Sequence, residues 1–126
     1  MPIKQDNVVM DKSRAFALRI IDLYKYLTIS AEQKEFILSK QILRSGTRIG
    51  ANIRESRRAQ SSKDFISKLY IALKEADETQ YWLELLYSGD YIKEEGFTSM
   101  NNDCEEILKL LTSIIKSTQT NNEEAK

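Results

Sequence analysis

One stretch of the sequence decides the fold: residues 65–86 read FISKLYIALKEADETQYWLELL. Apolar or small residues recur in it at alternating steps of four and three, the spacing that keeps side chains on one face of an α-helix. The positions are Phe65, Leu69, Ala72, Ala76, Thr79, Leu83 and Leu86. The pattern continues unbroken over three heptads, and its small residues lie mid-helix, where another backbone can pack closely. The stretch therefore predicts a long helix packed along its length against other helices.

Capping residues bound this helix and indicate three more. Ser61-Ser62-Lys63-Asp64 is typical of a helix start, and Gly89 at the C′ position is typical of a helix stop after Ser88. Similar periodicity predicts a first helix over about 11–27 and a second that begins at the capping box Ser30-Ala31-Glu32-Gln33. The second would run through Phe36 and Leu43 towards Ala59, and the fourth would be capped by Thr98 or Ser99.

Four amphipathic helices with short connections predict an all-α fold, an antiparallel up-down-up-down four-helix bundle over residues 11–117. Residues 1–10 are predicted to be a polar N-terminal lead-in. Residues 118–126 have no apolar side chain except Ala125, and we predict a disordered polar tail there.

The second helix contains two glycines and an asparagine that require a packing reason. Gly46 and Gly50 lie four residues apart, and each costs about 0.5–1 kcal/mol relative to alanine inside a helix. Close approach of a neighbouring helix is the preferred explanation, and a kink is the alternative. Asn52 lies near the apolar face, where we predict an interhelical hydrogen bond that fixes the register.

The composition excludes several kinds of chemistry. The 126 residues include no histidine and one cysteine, so Ser-His-Asp and Cys-His catalysis, imidazole metal sites and internal disulfides are excluded. Cys104 falls on the apolar stripe of the fourth helix and is predicted to be a core residue. We therefore expect no enzyme activity and no cofactor. Five carboxylates could suggest a metal site, but pairing with basic residues is the simpler interpretation; they are Glu75, Glu78, Glu84, Glu105 and Glu106.

The sequence gives no sign of export or of a membrane. Residues 1–11 lack the apolar segment of a signal peptide, and no apolar run approaches the roughly 20 residues that span a bilayer. A single unpaired cysteine fits a reducing compartment, so we expect a cytoplasmic protein with no membrane partner.

Charge is segregated along the chain, although 19 basic and 19 acidic residues give a net charge of zero. Residues 1–39 hold six basic and five acidic groups (+1), residues 40–74 hold nine and two (+7), and residues 75–126 hold four and twelve (−8). The basic block could contact phosphates, meet the acidic block across a subunit boundary, or form a solvated face. The candidate phosphate contacts are Arg44, Arg48, Arg54, Arg57, Arg58 and Lys63.

Two adjacent aromatic residues indicate self-association. Tyr81 and Trp82 flank the apolar face of the third helix, so at least one ring must point outward or into a second interface. We therefore predict that this pair lies at an oligomer interface.

Several strings resemble the four helix bundle protein family, also called the 23S rRNA intervening-sequence protein family. The opening of the family's sequences is similar to Asp11-Lys12-Ser13 with Phe16-Ala17-Leu18-Arg19. The family's most diagnostic motif is similar to Gln41-Ile42-Leu43-Arg44-Ser45-Gly46-Thr47 with Ile49-Gly50-Ala51-Asn52-Ile53. Further matches are Lys63-Asp64-Phe65, Ile71-Ala72-Leu73-Lys74-Glu75-Ala76 and Tyr81-Trp82-Leu83. The resemblance covers about residues 8–118. Arg48 and Arg54 depart from the motif, and both add positive charge.

The resemblance implies an antiparallel four-helix bundle that assembles as a homopentamer and has no enzymatic activity. A similar fold, the accessory variability protein of diversity-generating retroelements, partners a reverse transcriptase and carries a basic nucleic-acid-binding surface. By analogy, the six basic residues named above would contact phosphate. Our leading hypothesis is a homo-oligomeric bundle that binds RNA or DNA through a basic surface on helices two and three. The alternative is a structural or adaptor subunit that docks a protein partner and binds no nucleic acid.

Overall fold

Four helices make up the structure, a computed structural model that describes residues 4–124. They are α1 (Lys4–Lys25), α2 (Leu38–Ser56), α3 (Ser62–Ser88) and α4 (Glu94–Glu124). Each helix packs against the next one along the chain, and α1 also packs against α4. The predicted antiparallel four-helix bundle is therefore confirmed. None of the helices in the described part of the chain is long and apolar enough to cross a membrane.

The predicted seam of α3 forms the centre of the core. Six of its seven positions are buried, and the seventh, Phe65, is partly buried against the same cluster. α4 contributes Cys104, Ile107, Leu111 and Ile114 to this core, as its periodicity predicts. Burial of these side chains is the main favourable contribution to folding, at about 1.5–3 kcal/mol for each large aliphatic group.

The two glycines of α2 allow α1 to approach closely. A Cβ at Gly46 would lie 2.7 Å from Cγ1 of Ile20, which is itself fully buried. A Cβ at Gly50 would lie 3.3 Å from the hydroxyl of Ser13. The structure therefore confirms that both glycines allow close approach of α1 and α2, the explanation preferred from the sequence.

Buried polar groups on α2 find partners in two ways. Asn52 is buried, but its amide donates to the carbonyl oxygen of Arg48 in the same helix, at 2.9 Å, so the predicted interhelical bond is not the one it makes. The interhelical bond joins Thr79 of α3 to Ser45 of α2 instead, with 2.8 Å between two fully buried hydroxyl oxygens. Such a bond ties α2 to α3 in one register, because a slip would leave the buried Ser45 hydroxyl without its Thr79 partner. The Thr79 hydroxyl also bonds to the carbonyl oxygen of Glu75 in its own helix, at 2.7 Å.

The predicted capping box at Ser30 is wrong. A π turn over Tyr26–Ser30 extends α1, residues 31–37 form a connection, and α2 begins only at Leu38. The carboxylate of Glu35 accepts hydrogen bonds from the backbone N–H groups of Ile37 (3.0 Å) and Ser39 (2.6 Å). Glu35 therefore caps the start of α2, the role that we predicted for Ser30. Phe36 consequently precedes the helix and is exposed, whereas the sequence placed it on the buried stripe.

Other helix ends also differ from the predictions. α1 begins at Lys4 and buries Val9, so residues 4–10 belong to the bundle rather than to a lead-in. α4 begins at Glu94, before the predicted caps, and continues to Glu124. Residues 118–124 are therefore helical although they are polar, since no proline or glycine interrupts the backbone hydrogen bonds there. Residues 1–3, 125 and 126 lie outside the described residues.

α3 ends as predicted at Ser88, but the residue that reverses the chain is different. Asp90, with φ of 66°, takes the left-handed conformation and occupies the C′ position that we predicted for Gly89. The N–H of Tyr91 donates to the carbonyl of Leu86 (2.8 Å) and that of Asp90 to the carbonyl of Tyr87 (3.0 Å). These two bonds are those of a Schellman motif, with Gly89 as the C-cap and Asp90 at C′.

We predict that Gly46→Ala destabilises the protein by about 1–3 kcal/mol, because the new methyl group must displace the buried Ile20 side chain. Gly96→Ala is the matched control: it lies in α4 with nothing within 4 Å of the new methyl group, and should stabilise by about 0.5–1 kcal/mol. The measurement is the free energy of unfolding in urea. Equal effects of the two substitutions would contradict the close approach of α1 and α2.

Candidate nucleic-acid interface

Four exposed cationic side chains lie where α2 turns into α3. We call Arg54, Arg57, Arg58 and Lys63 the basic corner. Among the described residues, none of the four forms an ion pair with a carboxylate. The corner therefore presents positive charge that no carboxylate in the described part of the chain neutralises by an ion pair.

The connection between α2 and α3 holds the basic corner in a tight turn. The N–H groups of Arg57, Arg58 and Ala59 donate to carbonyls three residues earlier, at 3.0–3.2 Å. The predicted cap of α3 is present, since Ser61 accepts the N–H of Asp64 at 3.0 Å. Arginines at the end of α2 also face the negative end of that helix's dipole, which favours their position.

Two carboxylates lie close to the basic corner in sequence, and each has another partner. Glu55 pairs with Lys68 at 3.5 Å. The carboxylate of Asp64 accepts the backbone N–H of Gln60 at 3.1 Å. Residues 54–68 hold five basic and two acidic groups, a net charge of +3. The two carboxylates therefore do not balance the positive charge of this part of the chain.

Arg44 and Arg48 lie elsewhere and are paired. The Arg44 guanidinium is 2.5 Å from Glu78 and 3.8 Å from Glu75, and Nε of Arg48 is 3.5 Å from Glu75. Arg44 is about 15 Å along the helix from Arg54, at 1.5 Å per residue. The six predicted phosphate contacts therefore divide into four at the corner, which pair with no carboxylate of the described residues, and two that bind the carboxylates of Glu75 and Glu78.

Glu75 and Glu78 of α3 both interact with neighbouring side chains. Glu78 also accepts the indole N–H of Trp82 at 3.0 Å. One oxygen of Glu75 is buried and accepts no hydrogen bond from any described residue, so the two guanidinium groups near it supply its compensating charge. Some basic residues of the +7 segment thus pair with acidic residues of the −8 segment within one chain, between α2 and α3.

The remaining predicted carboxylates are dispersed. Glu106 pairs with Lys12 of α1 at 2.7 Å, and Glu105 accepts the side-chain amide of Gln80 at 3.0 Å. The bond to Glu106 raises the pKa of Lys12 above its ordinary value. Within residues 4–124, no three histidine, cysteine or carboxylate side chains come together in a way that could hold a metal ion.

A cleft of about 470 Å³ opens beside the basic corner. It lies between the amino-terminal part of α1, the α2–α3 connection and the carboxyl-terminal part of α4. Its floor is apolar, formed by Val9, Ile53, Phe65 and Leu69, and hydroxyl and amide groups surround the mouth. Arg57 belongs both to the cleft wall and to the basic corner. The sequence did not predict this cleft, because its walls come from segments more than 100 residues apart.

Tyr81 and Trp82 lie on the side of the bundle, away from the cleft. Their ring centroids are 5.2 Å apart, with planes inclined by 56°. Tyr81 is 52% exposed, whereas Trp82 is partly buried and bonded to Glu78. Tyr81 is therefore the ring that points outward.

Cys104 has no reactive surroundings. It is fully buried, and its sulfur lies 3.4 Å from the carbonyl oxygen of Ala76. Burial, with a smaller contribution from the nearby carboxylates, raises the pKa of the thiol to about 12. Because the thiolate is the nucleophile, this cysteine is a packing residue.

Residues 5–113 match the profile of the family described as 23S rRNA-intervening sequence protein. The chain belongs to the 23S rRNA-intervening sequence protein family. The resemblance in the Gly46–Asn52 region is therefore confirmed. The chain is also similar to a crystal structure of a protein with unknown function from the S23 ribosomal protein family of Bacteroides thetaiotaomicron VPI-5482. The two are 66% identical, with a TM-score of 0.86, over 89% of this chain and 98% of that chain. No curated protein matches the chain.

We predict that Cys104 of the folded protein reacts slowly with a thiol reagent such as DTNB. Raising the thiol pKa from 9.0 to about 12 lowers the thiolate fraction at pH 8 by about a thousandfold, and burial blocks access further. Labelling should become rapid when urea unfolds the protein. Equal rates in the folded and unfolded states would contradict the buried environment of the thiol.

Proposed function

We propose that this protein is a non-enzymatic, homo-oligomeric bundle that binds RNA or DNA through the basic corner. The observation that carries the proposal is the group of four exposed cations without carboxylate partners among the described residues. Five copies in the oligomer and a cytoplasmic location belong to the same proposal, the first from the family resemblance and the second from the unpaired cysteine.

Phosphate contact is the chemistry that this arrangement favours. Exposed guanidinium and ammonium groups keep their charge at neutral pH, and each phosphate they neutralise releases condensed counterions. Arginine also offers a planar pair of donors that matches two phosphate oxygens. Such contacts position a nucleic acid without reading its sequence, so we expect weak dependence on base sequence. The absence of histidine and the buried Cys104 support a role without catalysis.

We predict that RNA affinity falls steeply as salt rises, and that Arg57→Ala with Arg58→Ala flattens this dependence. Four phosphate contacts in each chain give a slope of log affinity against log salt of about −3 to −4, and loss of two contacts should reduce it by about half. Fluorescence anisotropy with a labelled RNA, measured between low and physiological salt, gives both slopes.

The matched control is Lys34→Ala with Lys40→Ala. These two exposed lysines lie at the opposite end of the bundle and form no ion pair within residues 4–124, so the control removes the same charge elsewhere. Its salt dependence should stay close to that of the unmodified protein. Equal flattening in both variants, or no RNA binding at low salt, would contradict binding at the basic corner.

A second candidate function is a structural or adaptor subunit whose apolar end docks protein. The segment between α1 and α2, which comprises the π turn and the connection after it, exposes large apolar side chains, with Ile29 68% exposed and Ile37 75% exposed. Tyr26 and Phe36 in the same segment are about half exposed. Exposed apolar groups of this size are typical of protein interfaces. The protein that docks there in this candidate is another copy of the chain, and the candidate differs from the first proposal because it binds no nucleic acid.

We predict that Ile29→Lys with Ile37→Lys lowers the oligomer mass measured by analytical ultracentrifugation. Folding of the single chain should change by no more than roughly 0.5 kcal/mol, because both side chains are largely exposed there. Leu18→Lys, at an exposed apolar position in the middle of α1, is the control and should leave the mass unchanged. An unaltered mass in the double variant would place the interface elsewhere, with Tyr81 the next surface to test.

A further inference from the structure

The cleft beside the basic corner has the chemistry of a nucleobase site. We propose that it receives one unpaired base, so that the nucleic acid bound at the corner is single-stranded. This inference rests on the proposed function and names the class of nucleic acid for the same surface.

The size and lining of the cleft fit a flat heterocycle. Its volume of about 470 Å³ falls within the range of small-molecule pockets, roughly 300–1,000 Å³. A base has two apolar faces and a polar edge. The apolar floor matches the faces, and Phe65 is a partly buried aromatic ring in that floor on which a base can stack.

The mouth of the cleft supplies groups for the polar edge. Gln60 of the α2–α3 connection and Asn121 of α4 both line the cleft, and both are exposed. Within the described residues, neither side-chain amide makes a hydrogen bond. An amide carries both donors and an acceptor, so it can bond the edge of any base. The site therefore favours a base without selecting one.

The basic corner connects the cleft to the phosphate backbone. Arg57 lines the cleft, while Arg54, Arg58 and Lys63 lie just outside it. A base in the cleft would leave its flanking phosphates at the mouth, beside these cations. A base in a duplex cannot enter without first being unpaired and unstacked, which costs free energy, so a single strand should bind more tightly.

The test compares two RNA probes in fluorescence anisotropy at one low salt concentration: a labelled single-stranded 12-mer and the duplex of the same sequence. The unmodified protein should bind the single strand about tenfold more tightly than the duplex, an amount within reach of one stacked base. A 12-mer with abasic sites should lose this advantage while keeping its phosphate charge.

Filling the cleft should have the same effect as removing the bases. Ser62→Leu with Ser117→Leu places two aliphatic side chains in the cleft mouth from exposed positions. The matched control is Ser67→Leu with Ser88→Leu, at exposed serines that do not line the cleft. The first variant should bind the single strand about tenfold more weakly and the duplex unchanged, and the control should bind both like the unmodified protein.

The two proposals fail in different ways. Duplex affinity equal to that for the single strand, or undiminished affinity for the abasic probe, would overturn the base site and leave phosphate binding standing. Failure to bind either intact probe would overturn the proposed function and this inference together. The abasic measurement uses the unmodified protein, so it decides the question even if the leucine variant does not fold.

Discussion

Close packing of α2 against both of its neighbours is the constraint on which the rest of the structure depends. On one side, Gly46 lets α1 approach until Ile20 fills the space where a side chain would be. On the other, Ser45 meets Thr79 of α3 in a buried hydrogen bond. Since small groups face both partners, α2 has little freedom to slide or rotate. This fixed position sets where every charged group on α2 lies relative to α3.

The fixed register then divides the positive charge of α2 and the α2–α3 connection into two sets. Arg44 and Arg48 lie opposite Glu75 and Glu78 and form ion pairs with these carboxylates at the surface between α2 and α3. The basic corner spans the end of α2, the connection and the start of α3, and among the described residues none of its four cations pairs with a carboxylate. A neutral chain thereby acquires one surface with excess positive charge, beside a cleft with an apolar floor. The same end of the bundle thus has cations that can contact the phosphates of a nucleic-acid strand and an apolar floor that can contact its bases.

Prediction from sequence succeeded where periodicity is long and at the two boundaries of α3, and it failed at most of the other helix ends. The seven-position seam of α3 is buried almost completely, because a helix packed on both sides keeps its phase over many turns. Ser30 did not cap α2, because Glu35 offers two acceptor oxygens closer to the helix start. Gly89 did not take the left-handed conformation, because Asp90 tolerates it and completes the Schellman bonds. Such ends depend on local competition among several polar groups, which spacing alone does not resolve.

The sequence by itself determined the helical class, the core face of α3, the family and the set of basic residues, since each depends on local pattern or composition. Only the tertiary structure decided which cations are neutralised, because pairing between Arg44 and Glu78 depends on the packing of two helices and not on their spacing of 34 residues. The cleft is likewise formed only by tertiary packing, because its lining residues come from separate helices. Val9, Ile53 and Asn121 meet there only because antiparallel packing returns both ends of the described chain to the α2–α3 connection.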